Sequence, residues 1–162
     1  MDKKETVRYC LDALKKAGAD KAVCSINMSE KKELNVEIGT MTLLRTTYNS
    51  SMGISVIIDQ KKGSTSINKT DKDNIDRAVE LVMEMAKGSQ PDEAYDIAEH
   101  QPPQSFSKGD ESANLDTMYQ YLEEFVNYVK STYSKIQLEA AIMDFNHSRS
   151  FFQNTNGVEF EI

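Results

Sequence analysis

Short stretches of alternating apolar and polar residues follow one another between residues 22 and 67. This two-residue period is typical of half-buried β-strands, and the turn-forming residues between the stretches favour an antiparallel meander. The predicted strands cover residues 22–28, 34–38, 41–48, 53–59 and 64–67, and the predicted turns cover residues 30–32, 49–51 and 61–63.

Three other segments carry the apolar stripe of an amphipathic helix. The first covers residues 3–17 and is followed by Gly18, where a helix would end. The second is capped by Thr70 and continues to Gly88. The third covers residues 115–132, and its stripe consists of Leu115, Met118, Leu122, Phe125, Val126 and Val129.

The end of the chain predicts further strands. Residues 136–142 and 149–153 predict two, and residues 154–157 end in the Asn-Gly pair expected of a tight turn. The alternating residues 158–162 predict a last strand, which needs a covering layer and a hydrogen-bonded neighbour. Because nothing downstream supplies either, we expect an amino-terminal portion of a longer protein. We also expect the adjacent pair of phenylalanines, Phe151 and Phe152, to face the missing part.

Together these elements predict an α+β (mixed α/β) fold, with three helices packed on a largely antiparallel sheet and truncated before a second domain. The predicted organisation is one amino-terminal domain, residues 1–162. It comprises a helix-meander-helix part (1–88), an unusually long loop (89–113) and a helix with strands (114–162).

The charge and hydropathy of the chain exclude several functions. The formal net charge is −7, so the chain lacks the excess of lysine and arginine that neutralises nucleic-acid phosphates. The longest apolar runs are too short to cross a bilayer, and the first residues are charged instead of forming a signal peptide. We therefore expect a cytoplasmic protein with no direct nucleic-acid or membrane partner.

Residues able to carry catalysis or hold a metal are sparse. His100 and His147 are the two histidines of the sequence, and neither belongs to a zinc-binding or catalytic motif. Cys10 and Cys24 lie among apolar residues, which favours buried free thiols over a disulfide or a metal pair. We predict no catalytic residue, no metal ligand and no cofactor in this chain.

Five short motifs follow one another in a specific order. They are GADKA at 18–22, LNVE at 34–37, GISV at 53–56, KGSTS at 62–66 and NTNG at 154–157. Their succession resembles the amino-terminal domain of the TldD/PmbA family, whose members are often labelled modulators of DNA gyrase. Pro91 and Asp92 add to the resemblance, and residues 62–93 look closer to the PmbA branch than to the TldD branch.

The resemblance implies a zinc-dependent proteolytic system that acts on unfolded or leader peptides. In this family, TldD-type subunits carry an H-E-x-x-x-H helix and a cysteine ligand in a carboxy-terminal domain, and PmbA-type partners lack them. None of these ligands occurs in this sequence. The resemblance therefore implies that the chain alone is not an enzyme, and that any zinc lies in a carboxy-terminal domain or a partner subunit.

The partners implied by the resemblance are a carboxy-terminal domain, a second subunit that is either identical or TldD-like, and an unfolded peptide. A meander with exposed edges would accept such a peptide as an added strand. The turn containing Asn154, Asn156 and Gly157 is our candidate for an interdomain or peptide-facing contact. The alternative is a stand-alone interaction or peptide-binding module unrelated to proteolysis. Translating the reading frame beyond Ile162 separates the two, since the first requires a large second domain and the second a stop codon.

Overall fold

The computed structural model describes residues 2–162. In those residues three helices and six strands follow in the order α1 (Lys3–Lys16), β1 (Lys21–Glu37), β2 (Thr40–Ile58), β3 (Lys61–Ile67), α2 (Lys72–Gly88), β4 (Gln104–Ser105), α3 (Leu115–Thr132), β5 (Ala140–Asn154) and β6 (Glu159–Glu161). The strands form a sheet in the order β3-β2-β1-β5-β6-β4. β3 pairs antiparallel with β2, β6 pairs antiparallel with β5, and the short β4 pairs parallel with β6. The predicted α+β fold with a largely antiparallel sheet is confirmed.

The first two strands are longer than the sequence predicted. β1 continues through residues 30–32 and β2 through residues 49–51, so the turns predicted there are wrong. The charged side chains at residues 30–32 form ion pairs within the sheet, such as Lys31 with Glu33 at 2.7 Å. The chain reverses instead at Ile38 and Gly39, which have left-handed φ angles of 49° and 70°.

The next reversal also differs from the prediction. It lies at Asp59 and Gln60, with φ angles of 48° and 62°, and Gly63 lies within β3 opposite Val56. A Cβ atom on Gly63 would overlap the backbone of α2 at Val82 and Ala86. Glycine is therefore required at this position for the close approach of strand and helix, and not for a turn.

The helices lie close to their predicted bounds, because the capping residues and apolar stripes that predict a helix lie within it or next to its ends. Asp2 caps α1, and its carboxylate accepts a hydrogen bond from the Glu5 amide at 2.8 Å in a reciprocal capping box. The cap of α2 is Asp71 and not Thr70, because the Asp71 carboxylate accepts from the Asn74 amide at 3.2 Å.

The last strands obtain their neighbours from upstream. β5 is one strand where two were predicted, and β6 lies between β5 and β4. The expectation that the final strand has no neighbour within the chain is therefore wrong. Phe151 is 1% exposed, and the ring of Phe152 lies 5.9 Å from that of Phe160. The expectation that this pair faces a missing part is wrong for Phe151, which lies in a core of this chain.

The chain divides into two compact units. Unit 1 takes in the described residues of Met1–Met28, together with Ser50–Ser107 and Arg149–Ile162, and unit 2 consists of Ser29–Asn49 and Lys108–Ser148. The core of unit 1 combines buried residues of α1, α2 and the strands, among them Leu14, Ile54, Ile75, Val82 and Phe151. The core of unit 2 consists of Leu34, Val36, Met118, Leu122 and Val126.

Candidate functional site

Two sheet edges in unit 2 lack a paired strand among the described residues. β1 lies between β2 and β5. β3 pairs only with residues 52–58 of β2, and β6 pairs only with residues 151–153 of β5. In the part of the chain that the structure describes, neither residues 40–49 of β2 nor residues 140–148 of β5 have a strand on their outer side. Both edges can therefore pair with an added strand.

The edge of β2 lacks the usual protection against strand pairing. Residues 40–49 read TMTLLRTTYN, with one charged residue and no proline. Leu43, Leu44 and Tyr48 are exposed. Natural edge strands are commonly protected by lysine, proline or a covering element, so a long strand rich in threonine and apolar residues favours pairing with another chain.

The edge of β5 alternates more regularly. Residues 141, 143 and 145 pack toward α3, whereas Ile142 and Asp144 are exposed. Along such an edge, every second side chain of an added strand would lie on the α3 side. The two edges thus offer the same backbone hydrogen bonds but different surroundings for side chains.

An ion-pair network connects the strands of unit 2. The buried Glu33 carboxylate lies 2.7 Å from Lys31 Nζ and 2.6 Å from Arg45 Nη2, and it accepts a hydrogen bond from Asn35 Nδ2 at 3.1 Å. Lys31 also lies 2.9 Å from Asp144 of β5. The pKa of Glu33 is lowered to about 2, and the hydrogen bond from Lys31 is the largest cause. The hydrogen bond from Asn35 and the positive charge of Arg45 lower this pKa further. Glu33 is therefore ionised at neutral pH, and the network joins β1, β2 and β5.

The other end of this sheet segment is fixed by α3. Lys130 Nζ donates a hydrogen bond to the Gly39 carbonyl oxygen at 2.9 Å, which ties α3 to the reversal between β1 and β2. Two of the clefts lined by α3 also include residues of the edge strands. One of about 450 Å³ includes Met143 and Phe145 of β5, and one of about 300 Å³ includes Thr40 and Met41 of β2.

The predicted turn residues occupy different environments. Asn154 is 2% exposed, and its Oδ1 accepts hydrogen bonds from the amides of Asn156 and Val158, each at 3.0 Å. Its Nδ2 donates to the Ala98 carbonyl at 2.8 Å, and Asn156 Nδ2 donates to the same oxygen at 3.1 Å. Asn154 thus fastens the turn to the long loop. Gly157 is exposed. The contact role of Asn154, Asn156 and Gly157 stays a prediction.

The cysteines are buried and free, as predicted. Cys24 Sγ lies 3.3 Å from Cys10 Sγ. The hydrogen bond with Cys10, together with burial, raises the pKa of the Cys24 thiol. A thiol with a raised pKa in an apolar core is a poor nucleophile.

A zinc site does not fit the side chains that the structure describes. Among residues 2–162, no group of three or more histidine, cysteine, aspartate or glutamate side chains is arranged to hold a metal ion. Over the same residues, no helix combines the length and apolar character needed to cross a bilayer.

One protein family matches part of this sequence. Residues 22–86 match the family model described as PmbA/TldA metallopeptidase domain 1. The match of residues 22–86 is to the first domain of the PmbA/TldD family. The predicted resemblance is confirmed, and the assignment to the PmbA branch stays a prediction. No curated protein matches the chain.

Three solved structures share the fold. TldE from Thermococcus kodakarensis has 16% sequence identity and a TM-score of 0.75, and the match covers 98% of this chain and 36% of TldE. A proposed modulator of DNA gyrase from Bacteroides thetaiotaomicron has 15% identity and a TM-score of 0.77, with 98% and 38% covered. A second one, from Thermotoga maritima, has 13% identity and a TM-score of 0.66, with 98% and 36% covered. The chain therefore spans little more than a third of the length of the structures it matches.

Sequence reasoning missed the location of the open edges. The alternation at residues 41–48 identified a strand, but periodicity carries no information about which neighbour a strand has. The absence of lysine and proline from residues 40–49 was a usable signal, because such residues commonly protect an edge.

Proposed function

We propose that this chain is the non-catalytic, peptide-accepting amino-terminal domain of a TldD/PmbA-like metallopeptidase system in the cytoplasm. The observation that carries the proposal is the pair of open strand edges in unit 2, at residues 40–49 and 140–148. The match of residues 22–86 to PmbA/TldA metallopeptidase domain 1 supports the link to proteolysis.

Strand addition suits an unfolded or leader peptide. An extended peptide supplies free backbone amide and carbonyl groups along its whole length, and a folded protein does not. Main-chain hydrogen bonds are independent of the peptide's side chains, so one edge accepts many sequences. The edge itself is held in place by the Glu33 network and by the packing of α3, so little ordering is required on the protein side.

The hydrolytic step belongs elsewhere in this proposal. Because the described residues hold no grouping suited to zinc, the metal is supplied by a carboxy-terminal domain or by a TldD-like partner in a dimer. The role of this chain is to bind and align the peptide. With a formal net charge of −7, we propose that any effect on gyrase is indirect, through turnover of a peptide that acts on gyrase.

Amide chemical shifts test the binding step directly. Adding an unfolded peptide to the isotopically labelled 162-residue protein should shift amides at residues 40–49 or 140–148. A peptide with N-methyl groups at alternate positions, which cannot donate the pairing hydrogen bonds from those positions, is the matched control and should shift them far less. Unchanged edge amides with both peptides would refute the proposal of strand addition.

Metal content and peptide cleavage test the proteolytic link. The full-length protein should be assayed alone and with a TldD-like partner, using casein or a leader peptide. Cleavage that appears only with the partner, with no zinc in this protein, is expected for a PmbA-type subunit. Zinc and cleavage from the protein alone would assign it to the TldD branch. If neither the protein nor the mixture cleaves peptides, the stand-alone binding module becomes the better account.

A further inference from the structure

The larger cleft of unit 2 has an acidic rim and an apolar floor. Its volume is about 450 Å³, within the range of sites that hold small groups. The floor includes Met118, Met143 and Phe145, and the rim includes Asp110 and Glu111. Both rim carboxylates are exposed, and no ion pair involves either of them among the described residues.

The cleft lies beside β5, between that strand, α3 and residues 110–114. It includes two residues of β5 but none of β1, the strand on the inner side of β5. Met143 and Phe145 are two positions apart on the strand face that packs toward α3. A peptide added along residues 140–148 would place alternate side chains on this same face, about 5 Å from those of β5.

The chemistry of the cleft selects the side chain that fits. A lysine or arginine has a long aliphatic stem that packs on an apolar floor, and a cationic end that extends to a polar rim. Asp110 and Glu111 supply the opposite charge, and the largely exposed ring of Tyr121 in the lining offers a cation–π partner. Glutamate or aspartate at the same position would be repelled.

We propose that the edge of β5 is the peptide-binding edge, and that the cleft beside it binds a basic side chain of the bound peptide. This inference rests on the proposed strand addition and adds the class of peptide to it. The occupant is an extended segment with a lysine or arginine at a position that faces α3.

Fluorescence polarisation with three labelled heptapeptides tests the preference. Each probe alternates threonine and valine, and the central residue is lysine, norleucine or glutamate. The lysine probe should bind the 162-residue protein about fivefold more tightly than the norleucine probe, as expected for two exposed charge pairs, and the glutamate probe should bind most weakly. The difference should shrink as salt is raised.

Matched variants locate the effect. The double variant Asp110→Asn with Glu111→Gln should remove the preference for lysine over norleucine. The control is Asp12→Asn with Glu124→Gln, which changes the net charge equally at exposed positions outside the cleft. The control should retain the full preference, and amide shifts at residues 140–148 should accompany binding in every variant.

The outcomes separate the inference from the proposed function. Amide chemical shifts that change along residues 140–148, with equal affinities for the lysine and norleucine probes, would refute the binding of a basic side chain in the cleft. This result would leave the proposal of strand addition intact. Shifts confined to residues 40–49, or a lysine preference that survives in the cleft variant, would likewise overturn the inference. If no probe binds and no edge amide shifts, strand addition itself is refuted, and the inference with it.

Discussion

Unit 1 and unit 2 bury their apolar residues to very different extents. Among residues 2–162, seventeen buried residues form the core of unit 1, whereas five form that of unit 2. In unit 2, α3 leaves Tyr121, Phe125 and Tyr128 largely exposed, and two strand edges lack outer neighbours among the described residues. Since buried apolar area is the main source of stability, the comparison indicates that unit 1 supplies stability and unit 2 supplies accessible surface.

Removing a large side chain from the core of unit 1 should have the largest effect. Phe151→Ala should lower the free energy of unfolding by about 4 kcal/mol, because it removes a fully buried ring and leaves a cavity. Phe125→Ala on the exposed side of α3 is the matched control and should cost less than about 1 kcal/mol. Denaturant titration measures both, and equal losses would contradict the assignment of stability to unit 1.

Adding a methyl group between β3 and α2 should have the next largest effect. Gly63→Ala should destabilise the protein by about 3 kcal/mol, because the new Cβ overlaps the backbone at Val82 and Ala86 and forces the helix away. Gly88→Ala is the control, since its Cβ would meet nothing within 4 Å. Thermal unfolding should show a lower Tm for the first variant alone. Similar Tm values for both would show that β3 and α2 are less closely packed.

Relieving strain in unit 2 should stabilise it modestly. Ile38 is β-branched, 70% exposed and in the left-handed region, a conformation that asparagine adopts more readily. Ile38→Asn should therefore raise stability by about 1 kcal/mol. Hydrogen exchange should slow at residues around the β1–β2 reversal. Ile136→Asn, also at an exposed isoleucine but without a left-handed φ angle, should show no such gain.

The smallest expected effect is a change in acid sensitivity. The pKa of Glu33 in the folded protein is about 2, below the ordinary value of 4.5, so its ionised form stabilises the fold. This contribution is fully present above about pH 4.5 and is lost as the pH falls toward 2. Glu33→Gln should reduce the fall in Tm between pH 4.5 and pH 2. An unchanged Tm profile would mean that the network does not stabilise unit 2.

The sequence predicted the helices better than the strands. The ends of α1 and most of the apolar stripe of α3 depend on residues within a few positions of one another, so local pattern was sufficient for them. Phe125 was predicted to belong to that stripe, and this is wrong because the side chain is 47% exposed. The turn predicted at residues 30–32 failed because Lys31 is held within the sheet by Glu33 and by Asp144, more than a hundred positions away. The turn predicted at residues 61–63 failed because Gly63 serves packing against α2.

The candidate site was less predictable than the fold. The sequence indicated exposed edges in general, and the motif NTNG as a contact. The contact role of that motif stays a prediction, and the structure adds that Asn154 is buried and donates a hydrogen bond to the Ala98 carbonyl. The unpaired strand edges in unit 2 were visible only in the structure. The cleft combines Asp110 and Glu111 with Met143 and Phe145, which no short motif links.

The sequence by itself determined the helices, the alternation of the strands, the acidic charge and the ordered motifs that identify a PmbA/TldD first domain. The tertiary structure decided how far each strand extends, which edges remain open and where the acidic cleft lies. The physical reason is that helix periodicity and charge belong to neighbouring residues. A strand edge or a cleft is defined by which distant segments pack beside it, and by which do not.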